Sequence, residues 1–418
     1  MRHDARLQEL VDDCVHCGFC LPTCPTYVLW GEEMDSPRGR IYLMDRRLDG
    51  TVTLNRTVVE HFDRCLGCMA CVSSCPSGVQ YDRLIEMTRA DVEEGFRRPL
   101  GERLLRSAIF LAFPHPRRMR AALALEPLGR RLPLPERFRP LLELAPPWRS
   151  GDAPPRLTPA QGERVARVGI LTGCVQRVLF GDVNAATARV LAAEGLEVVA
   201  PPQACCGALA MHAGREKDGL ARARKLIAAF EAADVDAIVT NAAGCGSNLK
   251  DYGALLADDP AWAARAAAFS RKVRDVSEVL AELEPRAPRR PLPITVAFQD
   301  SCHLLHAQRV QSPPRQVLRS IPGLEVAEPA EQELCCGSAG IYNMVRPGPA
   351  RELGDRKAAS VLATRPDAYA SANPGCLVQV TAALRRAGTP VPAFHPVELL
   401  DASIRGLPAD VLLRAARR

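Results

Sequence analysis

The sequence predicts an α+β chain of several domains: a helical cysteine-rich segment at the N-terminus, then two α/β units with parallel strands. Three observations carry that expectation. The chain has 418 residues, more than one ordinary domain. Its 16 cysteines fall into two groups, eight between Cys14 and Cys75 and eight between Cys174 and Cys376. The second half also repeats itself, in cysteine order and in strand and helix signals together. The expected parts are residues 1–98, a connecting arm over 99–164, a first unit over 165–290 and a second over 291–418.

The N-terminal segment is read from its spacing. Cys14-x2-Cys17-x2-Cys20-x3-Cys24-Pro25 returns as Cys65-x2-Cys68-x2-Cys71-x3-Cys75-Pro76. Three closely spaced thiolates wrap three corners of a cubane, and the fourth, turned away by proline, reaches the other cluster. The spacing therefore predicts two [4Fe-4S] clusters of bacterial-ferredoxin type. One is expected on Cys14, Cys17, Cys20 and Cys75, the other on Cys65, Cys68, Cys71 and Cys24. Structural zinc also uses Cys-x2-Cys pairs, but it does not explain three even spacings plus Cys-Pro, twice. Gly18 and Gly67 are expected to offer backbone N–H groups to cluster sulfurs, or to serve as plain turn glycines. His16 lies in the loop, but four cysteines already complete the ligation.

The stretch from 99 to 164 is rich in proline, which blocks long helices and marks an arm. It is also basic. Arg97 to Arg139 holds eleven arginines against Glu102, Glu126 and Glu136, a local +8 in a chain of net +6. A basic island suggests a local contact surface, not a nucleic-acid-binding protein. Leu104–Leu134 mixes Ile109, Phe110, Leu111 and Phe113 with Arg117, Arg118, Arg120, Arg130 and Arg131. Three readings stay open: contact with anionic lipid, docking to a partner, or packing on the chain's own domains with a solvated arginine face.

In the first later unit, Val165–Leu171 reads as a buried strand leading to Cys174, with a helix over about 182–194. Gly195–Val198 enters a second strand before Cys205-Cys206-Gly207. A helix at about 215–233 and a strand at 235–240 lead to Cys245. The second unit repeats this: Ile294–Phe298 to Cys302, a helix opening at Ser312-Pro313, Gly323–Val326 before Cys335-Cys336-Gly337, a helix at 350–364, and a strand at 368–372 before Cys376. Ligands in parallel sheets bind beyond the carboxyl ends of strands, so four thiols per unit should converge there. Iron–sulfur, zinc and free redox thiols are all open for these sites. His212, His303 and His306 flank them and are not assigned as ligands.

The motifs CVHCGFCLPTCPTY (14–27), SPRGRIYLM (36–44), DRCLGCMACVSSCPSGV (63–79), NAATARVLAAEGLEV (184–198), CCGALAMH (205–212), NAAGCGSNLKDYG (241–253) and CCGSAGIYN (335–343) resemble the iron–sulfur subunits of bacterial glycolate oxidase. The likeness runs in order along nearly the whole chain and is weakest across the arm. It implies an electron-transfer subunit working with FAD-binding-type subunits and passing electrons from glycolate toward a membrane quinone, with substrate oxidised on the partners. The later units are also similar to the cysteine-rich domains of heterodisulfide reductase and of the anaerobic glycerol-3-phosphate dehydrogenase iron–sulfur subunit. Those two activities are the alternatives. A zinc-stabilised scaffold is a third. The fullest form of that motif ends in Cys-x2-Cys; here Ala242 and Asn373 stand in place of the first of each pair, which leaves four thiols per unit.

No G-x-G-x-x-G follows a strand and no Walker sequence occurs, so flavin and nucleotide are not expected on this chain. The polar N-terminus reads as no signal peptide, and no apolar run approaches the roughly 20 residues of a membrane span. With thiols used for metal, the expected location is the cytoplasm, free or peripheral on the inner membrane face.

Overall fold

The computed structural model describes residues 4–126, 139–144 and 152–417. Arg130, Arg131 and the rest of the basic island over 127–138 lie outside them.

The N-terminal part is helical, with its loops pinned at helix ends. Pro25, following Cys24, starts the Pro25–Trp30 helix. Ser36 caps Pro37–Leu48 by accepting from Gly39 N, and Asn55 caps Arg56–Arg64 by accepting from Val58 N. Tyr81–Gly95 completes the set. Their apolar faces meet in a core around Leu7, Met44, Phe62, Leu84 and Ile85.

The two later units are parallel sheets, as expected. In the first, β1 (Leu157–Thr158), β2 (Ala166–Ile170), β3 (Leu196–Val199), β4 (Ala237–Thr240) and β5 (Val273–Asp275) lie in the order β1-β3-β2-β4-β5. All pairs are parallel except β1 with β3. In the second, β6 (Thr295–Phe298), β7 (Glu325–Ala327), β8 (Ala368–Ala370) and β9 (Ala393–Phe394) lie in the order β7-β6-β8-β9, all parallel. In each unit the first predicted strand is central, with the second and third on opposite sides of it. The chain thus reverses direction across the sheet there, which opens a crevice at the strand ends.

β1, β5 and β9 were not foreseen. At two or three residues each they are too short to show a period. β1 lies inside the proline-rich stretch and is confined to the sheet edge, where Pro159 need not donate.

The two units share one core. Val168 and Ile170 of the first sheet and Val296 and Phe298 of the second belong to a single buried cluster with residues of the Gly181–Ala193 and Pro396–Arg405 helices. Arg189 clamps Asp401 across this seam at 2.6–3.2 Å.

Within its described residues the arm packs on its own domains, the third of the readings above. The Leu100–Ala112 helix buries Ile109 and Phe110 against Ala210 and Ala213 of the first unit and Ile341 and Met344 of the second. Pro116–Ala124 buries Met119 while Arg117, Arg118 and Arg120 stay exposed. Arg98 and Arg106 are held by acids. Asp63, 9% exposed by its side chain, takes Arg98 at 2.5 Å, Arg106 at 3.8 Å and Arg346 at 3.7 Å. Burial pushes the Asp63 carboxyl up, but these guanidiniums overcome it and hold the group below its usual range. One carboxylate thus ties together the N-terminal part, the arm and the second unit.

Among the described residues no helix is long and apolar enough to cross a membrane.

Candidate metal centres

Each Cys-x2-Cys-x2-Cys loop turns through left-handed backbone at the same two places. These are His16 (φ 53°) and Gly18 (φ 88°) around Cys17, and Gly67 (φ 62°) and Met69 (φ 63°) around Cys68. Such turns curl a loop instead of extending it. Cys14, Cys17 and Cys20 accordingly line one cavity together with Cys75 and Cys71, both from the other repeat. Cys17 is exposed, as are Val15 and Phe19 beside it.

Cys65, Cys68, Cys71 and Cys24 are all buried. Burial, then the neighbouring Cys68, Cys65 and Cys24, pushes the Cys71 thiol well up. Cys65 goes the other way. Burial opposes its charge, but Arg40 and Arg89, the Gly67 N–H at 3.3 Å and the Tyr81 hydroxyl at 3.7 Å outweigh it and lower its pKa.

Arg40 is a residue the sequence did not single out. It is 1% exposed, donates to His61 O at 2.6 Å and to Thr26 Oγ1 at 3.1 Å, and lies 4.0 Å from Cys24 Sγ. Desolvation opposes its charge, yet Tyr81, Cys65, Cys24 and Asp35 more than compensate. A buried cation beside Cys24 and Cys65 suits an anionic centre. Arg40→Met is expected to lower the reduction potential of the Cys65 centre by on the order of 60 mV, the equivalent of about 1.4 kcal/mol per electron. An EPR-monitored redox titration reads it, and an unchanged potential would count against this role.

The two glycines differ. Gly67 donates its backbone N–H to the Cys65 sulfur at 3.3 Å. Gly18 is a turn residue that leaves room for Arg38, whose Nη1 would stand 2.9 Å from a Cβ there and donates to His16 O.

In the later units every cysteine follows a strand end, as expected. Cys174 comes after β2, Cys205 and Cys206 after β3, and Cys245 after β4; Cys302, Cys335, Cys336 and Cys376 stand likewise after β6, β7 and β8. Gly207 and Gly337 both take φ 88°, so the chain turns sharply after each cysteine pair. Cys174 and Cys205 sulfurs meet at 3.2 Å, and Cys336 and Cys376 at 3.4 Å. Thiol hydrogen bonds, first from Cys174 and then from Cys206, hold Cys205 well below its usual pKa. In the second set all four thiols are raised. Cys336 is pushed up to about 12, first by its bond with Cys335. Asn373 bonds Cys376 Sγ at 3.5 Å and accepts from Gly244 N of the first unit at 3.3 Å. It therefore braces the two units at a place where a thiol would otherwise stand. Among the described residues no three Cys, His, Asp or Glu side chains close around a single-ion position.

One feature was not legible in the repeats. All eight of these thiols line one shared cavity of about 480 Å³: Cys174, Cys205, Cys206 and Cys245 with Cys302, Cys335, Cys336 and Cys376. Arm residues form its outer wall. Of the flanking histidines, His303 and His306 are buried and His212 is half-buried. His212 and His303 meet edge to face at 4.9 Å across the unit boundary, and burial pushes both below their usual pKa, His303 to about 4.

The N-terminal part docks on this region. Leu66, Cys68 and Ala70 pack with Leu334, Cys335 and Tyr342, and Ser73 Oγ lies 2.7 Å from His306 Nδ1. Cys68 and Cys335 are close enough for the charge of one to raise the pKa of the other.

The donor chemistry fits iron–sulfur clusters: thiols only, in sets of four, curled loops, and an N–H and a buried guanidinium beside sulfur. Comparison with known proteins agrees. The family model for a 4Fe-4S dicluster domain matches residues 10–79, and that for a cysteine-rich domain matches 168–250 and 296–381. A probable glycolate oxidase iron-sulfur subunit of Bacillus subtilis (strain 168) is 42% identical over 412 residues, covering 93% of each chain. The glycolate oxidase iron-sulfur subunit of Escherichia coli (strain K12) is 40% identical, covering 97% of each. A crystal structure of a hypothetical protein from Helicobacter pylori matches with a TM-score of 0.56 over 88% of this chain and 68% of that one; at 10% identity it speaks for the fold alone.

Proposed function

Because the chain belongs to the family of glycolate oxidase iron–sulfur subunits, we propose that it carries electrons away from glycolate, or a close 2-hydroxy acid, oxidised on FAD-binding-type partner subunits. The acceptor in this reading is a membrane quinone. Oxidation of the hydroxy acid to the oxo acid releases two electrons and two protons; the partner's flavin takes them, and this chain passes the electrons on singly. A bound [4Fe-4S] cluster supplies the one-electron couple for that.

Four sites are proposed, on Cys14, Cys17, Cys20 and Cys75; on Cys65, Cys68, Cys71 and Cys24; on Cys174, Cys205, Cys206 and Cys245; and on Cys302, Cys335, Cys336 and Cys376. The observation that carries the reading is their succession. The first set reaches the surface at Cys17, the second is buried beside Arg40, and Cys68 of the second abuts Cys335 of the fourth. Such a series suits conduction through the protein. The exposed end, with Val15 and Phe19 around Cys17, is where the flavin-bearing partner would dock. Chain division at 98, 164 and 290 follows the same sets, and cysteines kept for metal and not for disulfides suit the cytoplasm, at the inner membrane face.

The test is anaerobic addition of substrate to the assembled complex. Glycolate is expected to bleach the iron–sulfur absorption and glycerol 3-phosphate to leave it unchanged. The reverse outcome would assign the chain to glycerol-3-phosphate oxidation instead.

A further inference from the structure

The arm packs through one face of its first helix and leaves the other bare. In Leu100–Ala112, Ile109 and Phe110 are buried against the two cysteine-rich units, while Leu100, Leu104 and Leu111 are 67%, 61% and 59% exposed. Arg103, Ser107 and Ala108 are exposed too. These positions recur at steps of three and four residues, so they form one stripe along the helix. A single exposed leucine is ordinary, but three aligned on one stripe mark a surface that something covers.

The charge around the stripe has one sign. Arg97, Arg103, Arg117, Arg118 and Arg120 are exposed, and among the described residues none of them pairs with an acid. Between Arg97 and Leu125 the only acid is Glu102, which Arg98 and Arg106 hold at 2.9 Å. Arg118 donates to Leu111 O at 3.2 Å, which sets its guanidinium beside the stripe. Pro114, His115 and Pro116, where the two arm helices join, wall a surface groove with Cys205 and the exposed Lys225. The basic face thus adjoins a thiol of the first unit and one more cation.

We propose that this face of the arm docks on an anionic lipid bilayer, its leucines entering the acyl boundary and its arginines meeting the lipid phosphates. The inference rests on the reading above, in which electrons leave for a membrane quinone, and gives that reading a contact surface. A bilayer with acidic head groups supplies both the apolar depth and the counter-charge that the face lacks. A protein partner is the poorer fit. The described arm exposes no aromatic side chain, the usual anchor of a protein interface.

The test uses the full chain, purified anaerobically with its iron in place, and sedimentation with lipid vesicles at low salt. Vesicles containing phosphatidylglycerol should bind the chain about tenfold more tightly than vesicles of phosphatidylcholine alone, and added salt should weaken that binding. Leu104→Ser with Leu111→Ser, and separately Arg103→Glu with Arg117→Glu, should each weaken it about tenfold, with iron content unchanged. All four positions are exposed; should one pair fail to fold, the other still decides. No binding to either vesicle, equal binding to both, or binding indifferent to the variants would overturn the proposal. Loss of assembly with the flavin-bearing subunits, with lipid binding kept, would make the face a protein interface and overturn it too. Glycolate-driven bleaching of the wild-type complex in lipid-free solution is scored separately. Bleaching without vesicle binding sinks only this surface; vesicle binding without bleaching sinks only the glycolate reading.

Discussion

Cys75→Ser is expected to remove the centre built on Cys14, Cys17 and Cys20, fifty residues and more away in sequence, and to spare the centre on the loop that Cys75 itself follows. Iron should fall by about four per chain, with one of the two ferredoxin-type EPR signals lost. Cys24→Ser should do the converse, removing the Cys65, Cys68 and Cys71 centre. The physical reason is the position of each fourth cysteine. Cys75 lines the cavity of the first loop, and Cys24, 3.2 Å from Thr26 Oγ1, is buried beside the Arg40 guanidinium, whose charge also acts on Cys65. Cluster binding and folding are coupled, so each loss should also loosen its own loop. If each variant instead lost the centre on its own loop, ligation would be local and the crossed assignment wrong.

Gly337→Ala should destabilise the second unit by about 2–5 kcal/mol, a sum of left-handed strain and overpacking. The backbone there has φ 88°, and an added Cβ would stand 2.6 Å from Ala350 O. Ala350 begins the buried face of the Pro347–Ala363 helix, whose Lys357 side chain is wholly buried near the same thiols. Neither side can give way cheaply. Gly388→Ala, in the same unit at φ 74° with open space around it, is the control and should cost only about 1–2 kcal/mol. Urea midpoints of the two variants, with iron counts, decide the point. Equal midpoints would show that the Cys-Cys-Gly turn has no special packing demand. Gly207→Ala, 2.9 Å from Gly219 O, should behave like Gly337→Ala.

What could be read from the sequence was whatever local spacing encodes. Three thiols within seven residues specify a curled loop, and strand, cysteine and helix in fixed order specify a sheet edge. β2, β3, β4, β6, β7 and β8 and the helices between them accordingly fall where the pattern put them. The two glycines were half legible. Their loops are related by a repeat in which His16 and Met69 take the same left-handed turns, so glycine itself was not the signal. Arg40 was quoted within a motif without a role, because nothing in a sequence tells that an arginine is buried beside Cys24 and Cys65. Nor could the joining of the two four-thiol sets at one cavity be seen. It depends on the packing of Val168 and Ile170 with Val296 and Phe298, and on the arm folding back over both units.

Iron, acid-labile sulfide and zinc counted on the anaerobically purified chain, before and after Cys336→Ser, test the central claim that both halves of the molecule carry iron–sulfur centres. The expected result is about sixteen irons per chain, falling by about four in the variant while the signals of the Cys14 and Cys65 centres persist. About eight irons, unchanged in the variant, would contradict it and leave the cysteine-rich units without clusters.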